Sequence, residues 1–225
     1  MATSPANTIN VFALITGFMH GRTVGGKPEI FGNTGGLFMS AMTWWDHSTK
    51  TIWSQPWGRA IDGPLKGTEL DLLPSQVTTW ANWREEHPET LVMINDVDRF
   101  RLGPEVFYDS FVIGLVLEDA AKAYAYLDVA ATGVVNDMMG VYPVLVWAND
   151  DNYHAYMRNV DGRFLTFRWE NDQLIDEETA SVWDVMRGRA MSGPLEGQAL
   201  QSVPSLSSYD WAWRDFYPDS ELYSP

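Results

Sequence analysis

The chain predicts an α+β, strand-rich fold built as two tandem pseudo-repeats, each a meander of β-hairpins with one short helix. Three observations carry this. Residues 53–93 and 183–223 align without a gap at a constant offset of 130, and fourteen of the 41 positions are identical. Short apolar runs bounded by Gly, Pro and Asp recur along both copies, which is the spacing of strands and turns. Each copy also holds a single helical stretch, around Trp83 and Trp213. An offset this long marks a duplicated domain, since solenoid units run to about 20–50 residues.

In copy one an apolar run, Val11 to Thr16, precedes a turn at Gly25-Gly26 and a short strand at Glu29 to Phe31. Thr43 to Trp45 and Thr51 to Trp53 read as hairpin arms around the polar turn Asp46 to Lys50. Gly63 to Gly67 is a tight loop. Pro74 and Ser75 introduce a helix through Trp80, Trp83 and Arg84, and Pro88 stops it. Thr90 to Ile94 is the closing strand. The charged, breaker-rich stretch 95–104 places a linker over 96–106, between a first repeat at 1–95 and a second at 107–225. In copy two the strands are Phe111 to Leu117, Lys122 to Leu127, Val134-Val135, Val141 to Trp147, Tyr153 to Met157 and Phe164 to Trp169. The arm-turn-arm pattern returns at Leu174 to Trp183 and the helix at Ser207 to Tyr217. The pair Asn136-Asp137 reads as a hairpin turn.

The offset exposes an asymmetry. Residues 25–31 match 161–167 at an offset of 136, with about 50 residues of copy two upstream of that point and about 25 of copy one. Copy one is therefore expected to be N-terminally shortened, with an oligomer or a missing N-terminal segment completing it.

Composition narrows the function classes. The net charge is −15, and cysteine is absent. Residues 1–95 hold six Lys/Arg against eight Asp/Glu, and residues 96–225 hold nine against 22. Such a surface repels phosphate backbones and argues against nucleic acid as a partner. Without cysteine there are no disulfides, thiolate metal sites or cysteine nucleophiles. No apolar run reaches the roughly 18 residues of a transmembrane segment. MATSPANTIN lacks the basic-then-apolar pattern of a signal peptide.

The two copies act as mutual controls. What they share is glycine, proline and tryptophan, the residues of turns and packing. None of the four histidines recurs at the offset: His47 faces Glu177 and His87 faces Tyr217. A duplicated catalytic site would repeat its acid, base or nucleophile, so no catalytic residue and no cofactor is assigned. The best constellation for a ligand is Asp46, Trp53, Ser54, Gln55 and Arg59, polar groups beside an indole that offers a stacking face and an N–H donor. Arg59 suits a carboxylate or phosphate. The competing reading is internal: Asp46 and Arg59 form an ion pair bracing the hairpin, repeated as Asp176 and Arg189. Asn149 to Asn152 and Asp172 to Glu178 are acidic turns without the spacing of a calcium-binding loop.

The stretches FGNTGGLFMSAMTWWDHSTKTIWSQ (31–55), GRAIDGPLKGTEL (58–70), VVNDMMGVYPVLV (134–146), VDGRFLTF (160–167) and GRAMSGPLEGQAL (188–200) resemble the family of domains of unknown function numbered 3179, whose members often carry the domain twice. The resemblance covers most of residues 20–223. It implies a β-rich fold, frequent export from the cytoplasm, and no assigned activity. The chain departs from the family where members have Tyr-Pro (here Tyr124-Ala125), His-Glu (Thr132-Gly133) and Cys-Pro-x-Cys (Asn149 to Asn152). Those are the family's candidates for metal or redox chemistry.

The reading that follows is an acidic tandem-repeat protein working as a non-catalytic binding or structural module. Its partner is an unknown small molecule, glycan or protein, met on the Trp-rich hairpin of copy one. Two others stay open: a hydrolase-type enzyme using Asp46, His47 or Asp137 with Arg59 steadying an anion, and a divalent-cation-binding module in copy two.

Overall fold

The computed structural model describes residues 19–75, 78–91, 110–150 and 152–225. The Val11 to Thr16 run, the 96–106 linker and the closing strand beyond Leu91 lie outside them. Copy one contains β1 (Met19–His20), β2 (Thr23–Val24), β3 (Lys27–Pro28), β4 (Phe31–Phe38), β5 (Ala41–Asp46), β6 (Ile52–Ser54), β7 (Arg59–Asp62), β8 (Leu72–Leu73) and α1 (Trp80–Glu86). Its centre is the antiparallel sheet β4-β5-β6-β7, accompanied by the ribbons β1-β8 and β2-β3. Trp44, Trp53 and Ala60 face one another across β5, β6 and β7, and with Leu70 they form the core of this copy. Cross-strand aromatic pairs of this kind contribute about 0.2–1 kcal/mol each relative to an Ala–Ala pair.

Copy two contains β9 (Phe111–Leu117), β10 (Ala120–Ala125), α2 (Tyr126–Thr132), β11 (Val134–Met139), β12 (Tyr142–Ala148), β13 (Tyr153–Met157), β14 (Asn159–Val160), β15 (Arg163–Phe164), β16 (Phe167–Glu170), β17 (Gln173–Asp176), β18 (Val182–Asp184), β19 (Arg189–Ser192), β20 (Gln201–Ser202), β21 (Ser205–Tyr209), α3 (Asp210–Phe216) and β22 (Glu221–Leu222). Three four-stranded sheets result, ordered β16-β17-β18-β19, β11-β12-β13-β20 and β21-β9-β10-β22. The first is the counterpart of β4-β5-β6-β7. The other two enclose the largest core, where Ile113, Leu115, Tyr124, Val129, Val144 and Val146 are fully buried or nearly so.

The duplication holds at the level of single hydrogen bonds. Leu70 N–H donates to Gly58 O at 2.9 Å, and Leu200 N–H to Gly188 O at 2.7 Å. The indole of Trp83 donates to Thr90 Oγ1 at 3.0 Å, and that of Trp213 to Ser220 Oγ at 2.7 Å. Gly58 and Gly188 both sit at φ +60, where a side chain is strained. A Cβ there would come within 2.3 Å of the His20 ring in copy one and 2.6 Å of the Tyr156 ring in copy two. His20 and Tyr156 are thus counterparts, at the offset of 136.

The change of offset from 136 to 130 is located in one hairpin. Phe31 pairs with Asp46, as Phe167 pairs with Asp176, but β4-β5 runs six residues longer than β16-β17. The short hairpin turns on Asn171-Asp172, whose residues tolerate positive φ (50 and 59). The long one turns on Met39-Ser40 at φ 49 and 61, a pair with no such preference.

Three expectations need correction. Copy two has two helices, because the strand expected over Lys122 to Leu127 stops at Ala125 and α2 follows. Tyr126 and Val129 bury one face of α2, and Gly133 at φ +80 ends it. The second Trp helix is shorter than Ser207 to Tyr217, since β21 claims its first residues to pair with β9. Asn136 and Asp137 lie inside β11 rather than at a turn. Asn136 exchanges hydrogen bonds of 2.7 Å with the Phe167 backbone and so stitches β11 to β16.

The copies meet about a local pseudo-twofold axis. Ser75 Oγ donates to Ser205 O at 3.0 Å and Ser205 Oγ to Ser75 O at 3.3 Å, a reciprocal exchange between counterparts 130 residues apart. This is the geometry of an isologous dimer interface within one chain. To one side, the Trp57 indole packs edge-on against Phe216 at 5.4 Å and donates to its carbonyl at 3.0 Å. On the other side the counterparts are Arg187 and Glu86. Burial raises the Glu86 carboxyl above its ordinary value, and the charge of Arg187 opposes that rise.

Gly188→Ala is expected to destabilise the chain by about 2–4 kcal/mol, the sum of left-handed strain and overpacking against Tyr156. Gly140→Ala, at φ +61 with nothing within 4 Å, should lose only the strain, about 1–2 kcal/mol. Urea melts of the two variants check the difference.

Candidate functional site

The turn after β5 is built around one carboxylate. Thr49 donates to Asp46 through its backbone N–H (2.5 Å) and hydroxyl (2.8 Å), Thr51 through its N–H (3.1 Å) and Trp53 through its indole (3.0 Å). Copy two repeats the set on Asp176, with Thr179 (2.6 and 2.8 Å), Ser181 (3.1 Å) and Trp183 (2.9 Å). Proton counting fixes the rest. Because the Thr49 hydroxyl donates to the carboxylate, it accepts from Thr51 Oγ1 at 2.6 Å, which accepts from Leu65 N–H at 3.2 Å. The loop Gly63 to Gly67 is thereby tied to the turn. Burial alone would raise the Asp46 carboxyl, but the bonds from Trp53, Thr49 and Thr51 outweigh it and hold the group below its ordinary value.

The residues named from sequence are now placed. Asp46 and Trp53 are 0 % exposed, and Ser54 and Gln55 are buried beside them. Arg59 lies at the surface, 3.7 Å from Glu69, both side chains more than half exposed. The expected Asp46–Arg59 ion pair is replaced by the Asp46–Trp53 bond, and in copy two Arg189 Nε donates to Gly197 O instead. Exposed pairs such as Arg59–Glu69 contribute about 0–1 kcal/mol. Asp137 belongs to copy two. There it accepts from Lys122 Nζ at 2.8 Å and the Tyr124 hydroxyl at 3.0 Å, while Glu221 meets the same lysine at 3.2 Å. Burial would raise Asp137; the bonds from Lys122, Met138 and Tyr124 together lower it. Asn149 and Asn152 are occupied within their own turn and by Tyr126 and Thr79. Among the described residues no three His, Asp or Glu side chains are grouped to hold a metal ion.

The outer side of the copy-one hairpin carries groups that sequence reasoning did not assemble. The Trp45 ring lies against Gly32, where a Cβ would come within 2.8 Å of its Nε1. His47 stacks on Trp45 at 4.4 Å and 8°, and Lys50 Nζ stands 4.1 Å from the ring centroid. Ile30, whose carbonyl accepts from His47 N–H, is 57 % exposed beside them. Copy two has Arg168, Ile175, Glu177 and Ala180 at the positions of Gly32, Trp45, His47 and Lys50. The fold therefore does not require this face. The signal available in the sequence was the disagreement between copies at positions flanking the shared Asp and Trp.

Two desolvated histidines, His20 and the buried His154, are held below their ordinary value. Desolvation lowers His20 to about 4, against the bond it makes with the Gln55 carbonyl. It likewise lowers His154 to about 4, with Asp184 opposing.

Comparison with known proteins places the chain. A family model described as a protein of unknown function (DUF3179) matches residues 14–110 and again 104–220, and the chain belongs to that family. No curated protein and no solved structure matches it. No helix among the described residues is long and apolar enough to cross a membrane.

Asp46→Asn and Asp176→Asn should each lower stability by about 3 kcal/mol, because an amide cannot accept from every donor now aimed at the carboxylate. Denaturant melts measure this, and similar losses at both sites would show equivalent roles. For the histidines the folded-state values lie below the unfolded one, so their contribution is full above pH 6.5 and is lost as pH falls toward 4. That amounts to about 3 kcal/mol each by pH 4. Asp46 and Asp137, held low, keep their contributions through this window. The melting temperature should therefore fall between pH 6.5 and 4, and His154→Gln should flatten the slope.

Proposed function

We propose that this member of the DUF3179 family is a non-catalytic binding or structural module, organised as a first repeat at 1–95, a linker at 96–106 and a second repeat at 107–225. Its contact surface is the outer side of the copy-one hairpin. One observation carries the reading: the two copies keep the same internal hydrogen bonds, yet only copy one presents the Trp45, His47, Lys50 and Ile30 face. Of the ligand residues expected from sequence, Asp46, Trp53, Ser54 and Gln55 are buried in or next to the same sheet, and Arg59 is exposed on β7. An indole flanked by a cation and a second ring offers stacking and a positive charge, a combination suited to a glycan or a peptide.

A thermal-shift screen against oligosaccharides, peptides and common metabolites tests this. A true ligand at a hundredfold excess over its dissociation constant adds about 2.7 kcal/mol of stability. The shift should disappear in Trp45→Ala and Lys50→Ala, which leave the Asp46 hydrogen bonds untouched. A flat screen, or a shift that both variants retain, would remove the hairpin from consideration.

A further inference from the structure

Two interactions lay helix α1 of copy one along strand β13 of copy two. Thr79, at the head of the helix, donates its backbone N–H to Asn152 Oδ1 at 3.2 Å. Seven residues on, about 10 Å along a helix axis, the charge of Glu86 acts on the Tyr156 hydroxyl. Asn152 and Tyr156 are four residues apart, about 13 Å along a strand, and alternate positions of a strand share a face. His154 stands between them on that face, its ring parallel to that of Tyr156. It is 2 % exposed.

The hydrogen bonds of Tyr156 fix the state of this ring. Its hydroxyl has one proton, and the carbonyls of Val185 (2.8 Å) and Met186 (3.1 Å) can only accept it. The hydroxyl oxygen therefore accepts from His154 Nδ1–H at 3.3 Å, which leaves Nε2 of the neutral ring as a bare lone pair. Among the described residues nothing meets Nε2, and it is buried. A second proton can enter only there, and it finds no acceptor. The charged groups about the ring are Asp184 on β18, Arg187 in the turn after it at 3.3 Å from Asp184, and Glu86 on α1. His87, 4.0 Å from Glu86, is at the surface.

We propose that this junction is an acid-operated switch: a proton taken up at His154 Nε2 lifts α1 off β13 while the cores of copy two stay closed. An imidazolium requires water or an acceptor. The opposite face of β13, with Tyr153 and Ala155, is sealed in the largest core, so α1 is the cover that can be removed. Docked, the ring takes its second proton near 4; undocked, it does so near 6.5. The docked state is therefore favoured above pH 6.5 and loses ground as pH falls toward 4. His154 alone raises the ratio of undocked to docked about a hundredfold between pH 7 and 4. Glu86 works the other way: burial raises its carboxyl in the docked state, so its protonation offsets part of that rise. The switch does not rest on the function proposed for the Trp45 face.

Hydrogen exchange of the full chain, corrected for intrinsic rates, tests this at the amides of Thr79, Trp83 and His87. The first is bonded across the junction and the others within the helix. Their protection should lie below that of β12 and fall at least about tenfold from pH 7 to 4. His154→Asn, whose amide can still donate to Tyr156, should abolish the fall. Glu86→Gln should deepen it toward about a hundredfold. The proposal is overturned if protection of α1 does not change with pH, or if the fall survives in His154→Asn or is shallower in Glu86→Gln. It is equally overturned if α1 and β12 exchange together through one global opening.

Discussion

Four donor groups converge on the Asp46 carboxylate, and the same four on Asp176, and the shape of each repeat follows from that convergence. A carboxylate buried without partners would be protonated or expelled, so its presence commits the neighbouring backbone to a turn that aims N–H groups inward. The indole donor then fixes the rotamer of the central core tryptophan. Through the hydroxyls of Thr49 and Thr51 the same charge polarises the N–H of Leu65 and anchors the Gly63 to Gly67 loop. Hydrogen bonds in such a chain strengthen one another in a low-dielectric interior. Removing the carboxylate therefore loosens a turn, a core side chain and a loop together.

Much of this was legible in the sequence, and the parts that were not have identifiable causes. The offset of 130 found every residue of the device except its logic: Asp46, Thr49 and Trp53 all recur, with Thr51 replaced by Ser181. Charge complementarity pointed to Arg59 as the partner, but an indole N–H carries no charge and leaves no such trace. Helix α2 was hidden because alternating small and large residues from Ala121 to Leu127 imitate a strand. Only the Tyr126–Val129 spacing and Gly133 betray the turn of helix. The Trp45 face was missed because its residues are ordinary singly and gain meaning only when Gly32 is known to lie beneath the ring.

A protein that contains its own duplicate separates two kinds of constraint. Positions alike in both copies answer to the fold: the carboxylate, the glycines under His20 and Tyr156, the tryptophans of α1 and α3. Positions that differ while their surroundings stay alike are free of that requirement, and Trp45, His47 and Lys50 are of this kind. The same comparison explains the acidic surplus of copy two as surface, since Asp176 and Asp137 are internally bonded whereas most of the remaining acids face solvent. Repulsion among those solvated charges favours solubility without shaping the fold.

The reciprocal bonds between Ser75 and Ser205 have an evolutionary corollary. A gene that once encoded a symmetric pair would have faced itself across the axis, with position 57 meeting position 86 in two identical junctions. In the duplicated chain the two junctions are not identical: Trp57 stands against Phe216, and Arg187 beside Glu86. Copy one facing itself would set tryptophan against glutamate, and copy two would set arginine against phenylalanine. Four side chains thus make the two junctions chemically unlike, one aromatic and the other charged.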